Sequence, residues 1–254
     1  MVEALRRGET VRIRGDVGGR LGSSLGVDLA KFGGKGGTIE TTGTIIVDGD
    51  VGPRMGISMI RGSIYVSGSV GAPLGNVLEV ESDLSGYRRY VSITEVLETG
   101  CRILLPNRLE DERLVLKDGL LRETLAARNR SDRRLRVEGD AGMSAGILMR
   151  SGLLEIAGDA GRNTGVLMRG GRIVVSGSCD DFTAAEMKGG EIFVGRDAGG
   201  YLGAGMTGGA VYATRGRPIP PARAQPLKGD DVALVSKVLG VTSFQAMMYR
   251  RFGL

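Results

Sequence analysis

The sequence predicts an all-β protein, a right-handed parallel β-helix of coils about 19 residues long, with inserted loops and a short helical C-terminal tail. Three observations lead there. Methionines recur at Met149, Met168, Met187 and Met206 and glycines at Gly152, Gly171, Gly190 and Gly209, both series at intervals of 19. Within each unit aliphatic residues alternate with period two, as in Ile173/Val175 and Ile192/Val194, which places them on one face of a strand. Glycine makes up 44 of 254 residues, more than twice its usual share of about 7%. With only seven prolines and no collagen period, that much glycine implies many tight turns and many short strands. A 19-residue unit is too short for a strand plus crossover helix, which needs roughly 30 residues. It suits one coil stacked on the next at about 4.8 Å.

The coils follow in order. A first opens at VRIRGDVGGRLG (11–22), a second at GTIIVDGDVGPRMGISMIRG (43–62) and a third at GSIYVSGSVGAPLG (62–75). A degenerate one begins at LVLKDG (114–119), and regular repeats then run to Gly216. The inward pairs are Val11/Ile13, Ile45/Val47, Ile64/Val66, Leu135/Val137, Leu154/Ile156, Ile173/Val175, Ile192/Val194 and Val211/Ala213. Between them stand Arg12, Ile46, Tyr65, Arg136, Glu155, Val174, Phe193 and Tyr212, a mixed set suited to the outside. Of these, Val174, Phe193 and Tyr212 share one position in successive coils and form an apolar stripe, the candidate interface. Its cover is either the chain's own tail, through Phe244 and Met248, or another subunit or protomer.

Two stretches interrupt the period, at 23–42 and 76–113. In the second, SITEVLE (92–98) predicts a short helix starting at Ser92 or Thr94. The division is therefore a β-helix over 1–216 and a tail over 217–254. The tail opens with the proline-rich connector RPIPPARAQP (217–226). Helices are expected in DDVALVSKVLG and TSFQAMMYRRFGL, with Ser243 as an N-cap and Phe244, Met247, Met248 and Phe252 grouped at helical spacing. Such a tail can cover an open coil edge that would otherwise pair with other chains.

The stretch GSSLG (22–26) matches the G-x-S-x-G turn of serine esterases, yet the chain contains no histidine. The base that activates a serine in that arrangement is missing, leaving only a lysine such as Lys31 or Lys35. The repeat gives the stretch another meaning: Ser24 aligns with Ser58, Leu148 and Leu167, and Leu25 with Met59, Met149 and Met168. It reads as a coil corner. The methionine column reads as internal packing rather than as a soft-metal site. The acid column Asp50, Asp140, Asp159 and Asp197, interrupted by Ser69 and Ser178, reads as solvated corner residues rather than a catalytic acid pair.

FGGKGGT (32–38) resembles a phosphate cradle but lacks the P-loop spacing and reads as an insertion loop. The basic stretch Arg128 to Arg136 is broken by acids and polar residues, and aromatics are 4% with no Trp, so a solvated face is expected there, not a nucleic-acid site. Cys101 and Cys179 suit a reducing compartment. No apolar run reaches about 18 residues. The expectation is a cytoplasmic protein with no catalytic, cofactor-binding or metal-binding residues of its own and no nucleic acid or membrane partner.

GYLGAGMTGG (200–209), with Gly200, Gly203 and Gly205 in G-x-x-G-x-G order, resembles the β-helical subunit of formylmethanofuran dehydrogenase, the archaeal complex that fixes carbon dioxide onto methanofuran. The same repeat is similar to the C-terminal domain of the glutamate synthase large subunit. The likeness covers roughly 11–75 and 114–216. It implies a β-helical scaffold, with tungsten or molybdenum pterin and the other metals held by partner subunits. Three functions follow: a non-catalytic scaffold within a C1-metabolising oxidoreductase complex, a free-standing interaction protein related to the glutamate synthase domain, or a serine hydrolase using Ser24.

Overall fold

The computed structural model describes residues 1–254, the Phe32 side chain excepted. In chain order the elements are α1 (Val2–Arg6), β1 (Thr10–Arg14), a 3₁₀ turn (Ala30–Phe32), β2 (Thr44–Asp48), β3 (Ser63–Val66), β4 (Val77–Val80) and β5 (Arg88–Ser92). Next come α2 (Ile93–Thr99), β6 (Arg108–Glu110), β7 (Arg113–Leu116), β8 (Arg134–Val137), β9 (Leu153–Ile156), β10 (Arg172–Val175) and β11 (Lys188–Val194). The chain closes with β12 (Gly208–Ala213), β13 (Arg223–Pro226), α3 (Gly229–Leu239), α4 (Ser243–Ala246) and β14 (Arg250–Gly253).

The molecule is a parallel β-solenoid of about nine turns with roughly 19-residue spacing. β1, β2 and β3 stack in parallel, as do β7 through β12. Each inward residue lies on its own equivalent: Leu135 pairs with Leu154, Leu154 with Ile173, Ile173 with Ile192 and Ile192 with Val211. All five are at most 1% exposed. Identical positions stacked at one strand spacing remove apolar surface from water on both sides, at roughly 25 cal/mol per Å².

The methionine column is internal. Met149, Met168 and Met187 are fully buried and Met206 nearly so. A Cβ on Gly190 would lie 2.8 Å from the Met168 Cε, and one on Gly209 would lie 2.6 Å from the Met187 Cε. Each methionine therefore uses the space a side chain would need in the next coil. Gly190 also turns at φ +95°, where L side chains are strained. Steric room and backbone conformation together require glycine there.

The insertion at 76–113 is folded. β5 lies antiparallel on β3, β4 on β5, and β6 on β7, so this face splits into two sheets. The coil path continues past it, with Leu74 N donating to Leu121 O at 3.0 Å and Glu123 N to Leu74 O at 2.9 Å. Ser92 is the N-cap of α2, its Oγ accepting from Thr94 N at 3.1 Å. The buried Asn76 Nδ2 donates to Met59 O and Thr94 Oγ1, both at 2.8 Å, which pins the insertion to the coils.

The tail departs from the helical expectation in three places. Thr242, not Ser243, caps α4, and that helix ends at Ala246. Phe252 belongs to β14, antiparallel to β12 and β13, and is 1% exposed while Phe244 is 79% exposed. The end of the proline-rich connector is itself strand β13. The reason is backbone satisfaction: β12 ends the coil stack with unpaired N–H and C=O groups, and a strand satisfies them whereas a helix does not. Among the described residues no helix is long and apolar enough to cross a membrane.

A cationic cleft as candidate functional site

The corner that carries GSSLG is a left-handed turn. Ser24, Ser58, Leu148 and Leu167 have φ of 56°, 51°, 56° and 57°, and Ser24 N donates to Ile57 O as Leu148 N donates to Val166 O. A serine and a leucine thus serve one backbone role in different coils. The acid column is also structural. Asp50 Oδ1 accepts from Ser69 N at 2.7 Å, Asp140 Oδ1 from Asp159 N at 2.8 Å and Asp159 Oδ1 from Ser178 N at 2.8 Å. Each of these three carboxylates holds an amide of the following coil, whereas Asp197 Oδ1 accepts from Gly199 N of its own coil at 2.9 Å. The Ser69 amide and hydroxyl keep the Asp50 carboxyl below its ordinary range. Serine can follow in the column because the acid below it supplies the acceptor.

The structure brings Val174, Phe193 and Tyr212 together, with Val174 paired to Phe193 and Phe193 to Tyr212. Their cover is the chain's own tail. α3 lays the fully buried Val235 against Phe193 and Tyr212 in one cluster with Ala246 and Tyr249. Tyr249 Oη donates to Gly195 O at 2.9 Å, and Tyr212 Oη to Asp231 Oδ1 at 3.0 Å. Phe244 and Met248 take no part, being 79% and 68% exposed. The stripe is filled within the chain, and the cover is α3 and Tyr249 instead of the two residues expected from helical spacing.

The clearest polar site lies elsewhere, where the first insertion meets the later coils. A cleft of about 260 Å³ is lined by Lys35 and Thr38 from the loop and by Arg128, Arg130, Arg150 and Arg169 from the corners. The register explains the arginines. Arg150 N donates to Asn129 O, Arg169 N to Met149 O and Lys188 N to Met168 O, so Arg130, Arg150, Arg169 and Lys188 occupy one position in four successive coils. They follow the buried column of Asn129, Met149, Met168 and Met187, which forces the next side chain outward. Arg128 is half-buried, and its Nη1 donates to Gly36 O at 2.9 Å, tying the loop to the coil.

Among the described residues, none of these six cations is ion-paired to a carboxylate, although sixteen other arginines are. Burial, then the charges of Arg150, Arg130 and Arg169, push the Arg128 guanidinium below its ordinary pKa, and burial, then Arg130 and Arg169, do the same to Arg150. Two like charges at the coil spacing of about 4.8 Å repel by roughly 0.9 kcal/mol in water. The loop's own amides are engaged: Lys35 N donates to Asp28 Oδ2 at 2.8 Å and Gly36 N to Asp28 O at 2.6 Å. FGGKGGT therefore offers a side chain to the cleft rather than a cradle of free backbone N–H groups at those positions. The sequence carried a signal for this site in the pairs Met149–Arg150, Met168–Arg169 and Met187–Lys188, a cation directly after each ladder methionine. It could not show that Lys35 joins them.

Among the described residues no group of three His, Cys, Asp or Glu is placed to hold a metal ion. Cys179 is buried, its thiol pushed up to about 12 by burial, whereas Cys101 is exposed.

No protein-family model matches the chain. No solved structure matches it either. It is similar to an uncharacterized protein of Methanothermobacter thermautotrophicus, 48% identical over 153 residues, which is 60% of this chain and 50% of that protein. The matched segment thus spans about half the length of the relative.

Proposed function

We propose that the chain is a non-catalytic β-helical scaffold, a cytoplasmic component of a C1-metabolising oxidoreductase complex in the manner of the β-helical subunit of formylmethanofuran dehydrogenase. The observation that carries this reading is what the repeat does with its side chains. Methionines fill the interior, aspartates hold the next coil's amides, and Ser24 sits in a left-handed corner that leucine occupies in later coils. These three columns serve coil stacking, which suits a protein whose product is a rigid surface. The relative from a methanogen is in keeping with such a role. Pterin-bound tungsten or molybdenum would then belong to partner subunits.

A second reading, a free-standing interaction protein related to the glutamate synthase domain, draws on the tail. β14 and β13 close the edge of the last coil and α3 covers the outer stripe, so this chain needs no partner at that end. Affinity purification from the native cell separates the two. Stoichiometric co-purification of oxidoreductase subunits is expected, and a chain that elutes alone at low salt overturns the scaffold reading in favour of the free-standing one. Ser24→Ala should leave any hydrolysis of short-chain esters unchanged. A large loss of such activity in a folded variant would establish the hydrolase instead.

A further inference from the structure

We propose that the cleft between Lys35 and the Arg130–Arg150–Arg169 column binds a small phosphorylated ligand through a di- or triphosphate group. Three features of the site support it. The cations converge from two separate parts of the chain: Lys35 from the first insertion, and the arginines from the repeat more than ninety residues later. They have no carboxylate partner among the described residues, so an anion from outside would offset their mutual repulsion. Arg128 is half-buried beside three other arginines, and it fixes the loop over the cleft through Gly36 O.

The geometry selects the size of the anion. Arg130, Arg150 and Arg169 span two coil intervals, about 10 Å, the reach of a short phosphate chain. Guanidinium forks pair with phosphate oxygens bidentately and stay charged at any working pH. A cleft of about 260 Å³ is smaller than the roughly 300–1,000 Å³ of sites that engulf a whole drug-sized ligand, so the phosphates are held and the rest of the ligand lies outside. Nucleic acid is disfavoured because, among the described residues, no aromatic side chain lines the cleft to stack a base. This inference is independent of the scaffold reading, since binding is measured on the isolated chain.

Isothermal titration of the full-length protein with tripolyphosphate, pyrophosphate and inorganic phosphate tests it. Saturable one-to-one binding is expected, strongest for tripolyphosphate and weakest for phosphate. Arg150→Gln/Arg169→Gln should weaken tripolyphosphate binding at least tenfold, and Lys35→Ala should weaken it several-fold. Arg223→Gln, at an exposed arginine of β13 remote in sequence from the cleft, should change nothing. Both arginines in the double variant are exposed, and circular dichroism checks its fold; if it does not fold, Lys35→Ala alone carries the test. Absence of binding at millimolar tripolyphosphate overturns the proposal, as does unchanged binding in the cleft variants. Binding of duplex DNA or polyglutamate that tripolyphosphate cannot displace also overturns it, in favour of a macromolecular polyanion surface.

Discussion

Phe193 and Tyr212 stack face to face on successive coils, ring centroids 4.7 Å apart and planes 13° from parallel. The pair sits beneath α3, with Phe193 fully buried and Tyr212 4% exposed, and Arg172 lies over the Phe193 ring at 5.3 Å. An outward-facing column has become a second, smaller core because the chain returns over it. Burial, then Asp231, pushes the Tyr212 phenol up to about 12.

Truncation after Pro221 should therefore expose the stripe. The shortened protein is expected to bind a hydrophobic dye and to aggregate, while the full-length chain does neither. Phe193→Ala in the full chain should cost about 3–5 kcal/mol in urea unfolding, as buried aromatic truncations do. A full-length Phe193→Glu variant as stable as wild type would show that α3 does not seal the face.

Met168→Ala should cost about 2–5 kcal/mol and Met168→Leu under about 1.5 kcal/mol. Gly190→Ala should destabilise too, because its Cβ would meet the Met168 Cε at 2.8 Å at φ +95°. The two changes are coupled: in a Met168→Ala background the alanine at 190 is relieved of one of its three close contacts, so its cost falls, while the approach to Gly171 O at 2.7 Å and to Gly170 C at 3.0 Å and the backbone strain remain. A double-mutant cycle measures that coupling, and strict additivity would contradict the packing.

Asp118 and Arg122 form a shielded ion pair at 2.5 Å, with the arginine side chain 2% exposed. Arg122 Nε also donates to Val77 O, which joins the second insertion to the coil stack. Burial acts to raise the Asp118 pKa, but the hydrogen bonds and charge of Arg122, helped by Asn107 and the Leu120 amide, outweigh it, and the net shift is downward. A depressed carboxylate contributes stability that is fully present above its unfolded pKa of about 3.9 and is lost as pH falls through the folded value. Asp118→Asn should cost about 3–5 kcal/mol at pH 7, since it leaves a buried guanidinium unpaired. The gap to wild type should narrow as the pH falls below the unfolded value, and a gap that stays constant through the acid range would contradict the linkage.

Asp159→Ala should cost about 1.5–3 kcal/mol, because the Ser178 amide loses a charged acceptor. Asp159→Asn keeps a carbonyl oxygen in the same place and should recover most of that loss. Equal destabilisation by both, measured by thermal unfolding, would mean that charge rather than amide capping is what the column supplies.

Much of this fold was legible in the residues alone. The interval between Met149, Met168, Met187 and Met206 set the coil length, and alternation assigned Ile173, Val175 and their equivalents to the interior, because a strand's period of two leaves no other register. The same repeat identified Ser24 as a corner, since only the backbone turn is shared with Leu148. The tertiary structure alone decided what covers the outer face and what gathers beside the first insertion. Phe252 shares helical spacing with Phe244 and Met248, yet it lies in a strand because the unpaired edge of β12 needed hydrogen-bond partners that no local pattern announces. Lys35 and Arg128 are 93 positions apart in the sequence, and their meeting in one cleft depends on how an irregular loop folds back across the coils. Periodic order is written in local spacing, whereas contacts between an insertion and the repeat follow from chain return, which spacing does not encode.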